Sequence, residues 1–392
     1  MWWIGLSGRI QDKKMNNIIN VILIVTLVIY VIQIVRWTIG LFRLHDSVNL
    51  NEYSVDVLIA ARNEEEGISK CIESLLNQDY PSTKYRITII DDNSNDNTAH
   101  IVENYCLRYP DRITLLKVTD EPHNISPKIN ALSYATSKTS NEIILTTDAD
   151  CFVTENWIST IVSTMSDSIG AVTGLTKYRN NANIPQMLFG IQYLDYISLN
   201  SVSAGSIGIG SPNTANGCNM AFRRKAFEDV KGFSAFRTIN SGYDSFLVQK
   251  IVATEKWEAK YISDPTSFVT TNPVNTWMKF LNQRMRWSAQ TTKYRWTMQI
   301  FMISTFILYC FLAITLPLTL FVNNILPLYV FAIKAAIDFI ILYIFTTKYK
   351  INNLLRYYIP AMVIHIPFTI AAVFGGYFTR YDWKERKLGR QL

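Results

Sequence analysis

The chain has 392 residues, 49% of them hydrophobic and 18% charged, with a formal net charge of +7. So few charges argue against a wholly soluble protein. The basic residues flank apolar runs, as at Lys348, Lys350, Arg356 and Arg380 through Arg390, which is membrane-protein usage and not a nucleic-acid signature.

Ile18 to Val35 is the first apolar run, broken by Asn20, Gln33 and a few hydroxyls. Arg36, Trp37 and Arg43 follow it where a cleaved signal peptide would carry a small-x-small site, so it reads as an anchor. Met15 is a second candidate start, with Met1 to Lys14 then an upstream extension. Beyond the anchor, strands and helices alternate. Val55 to Ala60 is a short apolar strand. Arg62-Asn63-Glu64-Glu65-Glu66 then opens a helix, its acidic first turn suited to the helix dipole. Ile68, Cys71, Ile72, Leu75 and Leu76 share one face of that helix. Arg86 to Ile90 is the second strand and ends in Asp91-Asp92. Asp96 to Arg108 is the next helix; Asp96 or Asn97 suits its N-cap, while Asp91 or Asp92 faces a pocket. Ile113 to Val118 is the third strand. Pro127 to Ala135 is a helix carrying Lys128 and Asn130. Asn141 to Thr147 is a buried strand that ends in Asp148-Ala149-Asp150.

This order predicts an α/β fold with a mostly parallel sheet covered on both faces. Ligands bind such sheets beyond the carboxyl ends of the strands. Asn63, Asp91, Asp92, Asp148 and Asp150 all lie at those ends, so residues far apart in sequence converge on one edge. Two carboxylates one residue apart repel unless a proton or cation relieves them. A divalent ion held by their oxygens, with room for a diphosphate, is the natural remedy. There is no P-loop, and Gly205, Gly208 and Gly210 lack the strand and the order of a dinucleotide fingerprint. A diphosphate would therefore need a metal and basic side chains, for which Lys128 and Arg286 are candidates.

After Asp150 the pattern is less regular. Trp157 to Met165 is helical, Ala171 to Gly174 strand-like and Gln186 to Asn200 a longer helix. Ser203 to Asn219, rich in Gly, Ser and Asn, reads as a loop. Asp244 precedes an apolar helix, Ser245 to Val252; it reads either as a cap or as the base for an incoming hydroxyl. Asn275 to Thr292 is a polar helix carrying Gln283-Arg284-Met285-Arg286-Trp287, a cluster equally suited to a membrane interface. Ile300 to Val322, Ile325 to Phe345 and Tyr358 to Phe378 are further apolar runs of roughly 18 to 23 residues, long enough to span a bilayer. Lys334 and Asp338 stand one turn apart in the second of these and suit an internal ion pair. The five cysteines are scattered and form no C-x-x-C, which argues against a zinc site or a disulfide scaffold.

These residues, in this order, resemble the membrane-bound family 2 glycosyltransferases. The matching positions are Ala60-Ala61-Arg62-Asn63-Glu64, then Asp91-Asp92-x-Ser94-x-Asp96-x-Thr98, Lys128 with Asn130, and Asp148-x-Asp150. Asn216-Gly217-x-Asn219-Met220-Ala221-Phe222-Arg223-Arg224, Asp244 and Gln283-x-x-Arg286-Trp287 follow. The chain departs from the pattern at Tyr243, where an acidic residue often precedes the base. The resemblance implies a GT-A nucleotide-diphospho-sugar fold over residues 51–290. An anchor in residues 1–50 and a membrane region in 291–392 would flank it. It implies a nucleotide-sugar site at Ala61, Asn63, Glu64, Asp91, Asp92, Lys128 and Asp148, with Asp91 or Asp92 on the uridine. Asp148 and Asp150 would hold Mg2+ or Mn2+. Asp244 would be the general base, and Gln283, Arg286 and Trp287 would close on the pyrophosphate and acceptor. The implied reaction is inverting transfer from a nucleotide-diphosphate sugar, UDP-linked, to a lipid-linked or glycan acceptor at the membrane.

A small processive polysaccharide synthase is the alternative enzyme, and a nucleotide-binding transporter or membrane sensor the alternative from another class. Nucleotide sugars are cytoplasmic, so the catalytic segment is expected on the cytoplasmic side of a multi-pass cell-membrane protein. Three later spans would put the basic tail outside, against the positive-inside rule. One C-terminal run is therefore a candidate re-entrant or interfacial segment.

Overall fold

The computed structural model describes residues 2–45, 49–119, 125–180, 183–239, 241–321, 324–379, 381–383 and 386–388. Met1, Val322, Arg380 and Arg390, named above for a start, a run end and the basic tail, lie outside the described residues. Helix α1 (Trp2–Arg43) enters the α/β unit. There β1 (Val55–Ala61), α2 (Ile68–Leu76), β2 (Tyr85–Asp91), α3 (Thr98–Arg108), β3 (Ile113–Lys117), α4 (Pro127–Lys138) and β4 (Ile143–Thr146) alternate. The next elements are β5 (Phe152–Val153), α5 (Trp157–Thr164), β6 (Ile169–Gly174), β7 (Thr176–Tyr178), α6 (Gln186–Gly208) and β8 (Met220–Arg223). The unit ends with α7 (Arg224–Asp229), α8 (Tyr243–Ala253), β9 (Glu258–Ile262), β10 (Val269–Thr271) and α9 (Trp277–Ser288).

The main sheet has seven strands in the order β3-β2-β1-β4-β8-β6-β9. Only β8 runs antiparallel to its neighbours, so the expected mostly parallel sheet is present. The central strands β1, β2 and β4 are rich in Val, Ile and Leu because both faces are covered. Ile72, Leu75, Val102 and Trp157 pack one face, and Ile129, Leu132, Phe227 and Leu247 the other. At the amino end of β1, Asp56 is 2% exposed and pairs with Arg224 at 2.9 Å. That pair ties the buried carboxylate to the end of the sheet away from the cavity.

Two local expectations need correction. Helix α2 begins at Ile68 and not at Arg62: the Gly67 and Ile68 N–H groups donate to the Glu64 carbonyl at 3.0 and 2.9 Å. The three glutamates therefore occupy a turn ahead of the helix. Ser203 to Gly208 is not loop but the last part of α6. Its glycines serve close helix packing: a Cβ on Gly205 would lie 2.4 Å from the Trp37 carbonyl oxygen, and one on Gly208 2.1 Å from that of Gly40. Small residues let the backbones of α1 and α6 touch.

Among the described residues, four helices are long and apolar enough to cross a membrane: Lys14–Arg43, Trp296–Leu318, Leu326–Lys348 and Asn352–Phe378. The last three contain α10 (Trp296–Leu318), α11 (Leu326–Lys348) and α12 (Tyr358–Phe378). Asn324 bonds Asn20 at 2.9 Å and Tyr30 bonds Asp338 at 2.7 Å, so α1 and α11 run in the same direction. The expected Lys334–Asp338 pair forms at 2.8 Å. Helix α12 packs along α9. Phe368 stacks on Phe280 with centroids 4.5 Å apart, and Ser288 Oγ donates to the Ala372 carbonyl at 2.9 Å.

Candidate active site

The parallel register places the acidic residues. Ala61 pairs with Asp91 at the carboxyl ends of β1 and β2. Beyond it, the Asp92 N–H donates to the Ala61 carbonyl at 2.8 Å. Asp92 borders a cavity of about 1240 Å3, whereas the Asp91 carboxylate turns to accept the Ser94 N–H at 3.3 Å. Asn63, at φ 50°, holds the neighbouring turn: its side-chain oxygen accepts the Asn95 N–H at 2.9 Å. Ala61 and Glu64 border the cavity beside it. Of the two capping candidates, Asn97 is the N-cap of α3, and Asp96 before it accepts the Thr98 N–H at 3.0 Å.

Asp148 and Asp150 follow β4 in a turn closed by the Cys151 N–H on the Asp148 carbonyl at 3.0 Å. Gly67 packs closely on this turn: a Cβ on it would stand 3.3 Å from the Asp150 Cα. Both carboxylates border the cavity. The Lys128 ammonium, from the first turn of α4, pairs with Asp148 and lies 5.5 Å from the Tyr243 ring centre. Burial disfavours its charge, but Asp148 and Tyr243 outweigh that and raise the lysine pKa above its ordinary value. Two oxygen-donor side chains at the mouth of a polar turn suit a hard divalent cation.

Asp244 is not the N-cap of α8, a position held by Gly242. Its Oδ1 accepts the Ser245 N–H at 2.8 Å within the first turn of α8, and its Oδ2 accepts the Gly217 N–H at 2.6 Å. It also borders the cavity. Burial raises its pKa; the Ser245 N–H, Lys128 and the Gly217 N–H oppose that, Asp148 adds to it, and the net shift is upward. A Cβ on Gly217 would lie 2.9 Å from Asp244 Oδ2 and 3.0 Å from the Tyr243 hydroxyl. Tyr243 thus gives Lys128 an aromatic face where a second carboxylate would have added negative charge.

Gln283, Arg286 and Trp287 on α9 border the same cavity. Sequence reasoning missed what holds them. Arg284, 8% exposed, pairs with Asp195 of α6 at 2.6 Å, donates to Gln283 Oε1 at 2.7 Å, and lies 4.0 Å from the Trp287 ring centre. Asp195 is the single charged residue in α6, which was the available signal. Tyr196, beside it, sits 6.3 Å from Trp287 and stacks on Tyr178. The cavity continues from this wall between α1, α10, α11 and α12, where Trp37, Phe306, Tyr309 and Lys334 border it.

The α/β unit, with carboxylates gathered at its strand ends and joined to apolar helices, has the fold of solved glycosyltransferases. Residues 20–386 match glycosyl transferase family 21, and the chain belongs to that family. It is 26% identical over 275 residues to a beta-monoglucosyldiacylglycerol synthase of Trichormus variabilis, covering 65% of this chain and 56% of that protein. It is 29% identical over 179 residues to a poly-beta-1,6-N-acetyl-D-glucosamine synthase of Staphylococcus epidermidis, covering 45% of this chain and 41% of that one. The chain thus spans about half the length of the curated relatives it matches. In structure it is similar to the mannosyltransferase PcManGT from Pyrobaculum calidifontis, solved with GDP-Man and Mn2+. The TM-score is 0.61 at 18% identity, over 91% of this chain and 98% of that one. The resemblance to family 2-type glycosyltransferases holds in these relatives and in the shared fold.

Proposed function

We propose that the protein is an inverting, metal-dependent glycosyltransferase that moves a sugar from a UDP-linked donor to a lipid-linked acceptor at the cell membrane. One observation carries this reading. A single cavity brings Lys128, Asp148, Asp150, Asp244, Arg286 and Trp287 together and continues between apolar helices.

Asp92 and Glu64, which border the cavity, would contact the nucleoside, with Ala61 on the wall and Asn63 and Asp91 shaping the turns. Asp148 and Asp150 would hold Mg2+ or Mn2+, which when bound offsets negative charge on the departing diphosphate. Lys128 and Arg286 add fixed positive charge there. Asp244 takes the proton from an acceptor hydroxyl as its oxygen attacks the anomeric carbon from the face opposite the diphosphate. The new carbon–oxygen bond forms as the sugar–phosphate bond breaks, so the anomeric centre inverts and no enzyme nucleophile is needed. Gln283 and Trp287 position the acceptor.

The catalytic unit faces the cytoplasm, where nucleotide sugars are made. α1 ends at it, α10 leaves it and α11 returns. The packing of α12 along α9, an amphipathic helix next to the catalytic cavity, supports an interfacial α12 and a basic tail on the cytoplasmic side.

The test is purified protein with a panel of UDP-, GDP- and dTDP-sugars and a membrane lipid extract. A product that partitions into organic solvent with one added sugar supports the reading. A long water-soluble polymer would establish a processive synthase instead, and no turnover of any nucleotide sugar would overturn both.

A further inference from the structure

Spacing along the chain argued against a zinc site, yet tertiary structure gathers two of the scattered thiols. β4 and β8 pair antiparallel with Thr146 opposite Met220. Continuing that register by two residues sets Asp148 opposite Cys218. Cys151 closes the same turn from below. The two Sγ atoms and an Asp148 carboxylate oxygen all lie within 4.8 Å of one another. Both thiols are free, Cys151 at 1% exposure and Cys218 at 7%, and Cys218 borders the catalytic cavity. Cys218 donates to Asn216 Oδ1 at 2.9 Å and contacts Thr176 Oγ1 at 3.4 Å, which fixes its rotamer.

The donor chemistry of this cluster differs from that of the carboxylate pair beside it. Carboxylate oxygens suit Mg2+ and Mn2+, whereas thiolates select soft or borderline cations. A tetrahedral zinc with sulfur ligands at about 2.3 Å holds its sulfurs roughly 3.8 Å apart. A shift of about 1 Å therefore closes a set whose atoms lie within 4.8 Å. We propose that Asp148, Cys151 and Cys218 form a second metal site, selective for thiophilic divalent cations such as Zn2+ or Cd2+, that shares Asp148 with the oxygen-donor site. Water fills the fourth position from the cavity side. Because one carboxylate serves both sites, a bound zinc ion takes Asp148 from the donor diphosphate and lowers transfer; this consequence alone rests on the proposed glycosyltransferase function.

The test uses the full chain in detergent, reduced with a phosphine, and Co2+ as the spectroscopic probe. Wild type should show a near-ultraviolet sulfur-to-cobalt charge-transfer band that saturates at one equivalent and is abolished by Zn2+. Cys151→Ser and Cys218→Ser should each lose it. In transfer assays supported by Mn2+, Cys218→Ser should need roughly tenfold or more zinc for half-inhibition. Melting without metal checks that both variants fold; if they do not, the wild-type spectrum decides alone. No sulfur-to-cobalt band, or a band unchanged in both variants, would overturn the site. A band without turnover of any nucleotide sugar would retain the site and overturn the function.

Discussion

Asp244 is held by two backbone N–H groups, which set the orientation of its carboxylate. Its raised pKa, set first by burial, makes it a stronger base than an exposed aspartate and sets a pH signature. The base works only when deprotonated, so kcat/KM should fall as pH drops through a value above the ordinary aspartate range. Asp244→Asn should lose turnover by about 10^2-fold or more while retaining UDP binding by calorimetry. A collapse of nucleotide affinity would make Asp244 a donor contact instead. At the neighbouring turn, Asp150→Asn should abolish transfer while leaving the melting temperature near wild type. EDTA should silence wild type and Mn2+ restore it; full activity in metal-free buffer would remove the metal from the mechanism.

Between elements, one contact braces the site within the α/β unit and another joins that unit to α1. The Asp195–Arg284 pair joins α6 to α9 and braces Gln283 and Trp287. Removing one partner of a buried pair leaves an uncompensated charge and costs about 3–5 kcal/mol. Asp195→Leu should therefore lower the melting temperature and raise KM for the acceptor more than it weakens UDP binding. The double variant Asp195→Leu with Arg284→Met should recover stability but not the acceptor KM. The second contact is the glycine seam. A Cβ on Gly40 would lie 1.9 Å from the Gly205 carbonyl oxygen, so Gly40→Leu must push α1 from α6. Loss of monodisperse folded protein in detergent is the expected outcome; a wild-type melting curve would show that the seam is not tight.

Across the whole molecule, α9 couples the α/β unit to the apolar helices: Arg286 and Trp287 stand at the cavity wall, and Met285 and Ser288 meet α12. In the proposed reaction an acceptor hydroxyl would reach Asp244 while its apolar body stays between α10, α11 and α12. Arg286→Ala should impair transfer more than it weakens UDP binding. With α12 at the interface, a C-terminal tag should be protected from protease in intact cells and cleaved after lysis. Cleavage in intact cells would make α12 a true span.

The α/β order and the convergence of Asp92, Asp148 and Asp150 were legible in the chain because strand and helix periodicity is local. In a parallel sheet, strand-end residues share an edge whatever the side-chain details. The motif positions on α9 were legible as residue types for the same reason. Local pattern could not choose between Asp91 and Asp92, since that choice depends on which carboxylate finds a local N–H partner and which borders the cavity. Nor could it see α6 running on through Gly208: a run of Gly and Ser reads as loop until α1 packs against it. Asp195 with Arg284, and Cys151 with Cys218, are far apart in sequence. The first pair is brought together by helix packing, the second by the register of the antiparallel strand β8. Residue identities thus determined the chemistry available, and long-range register and packing decided which groups meet.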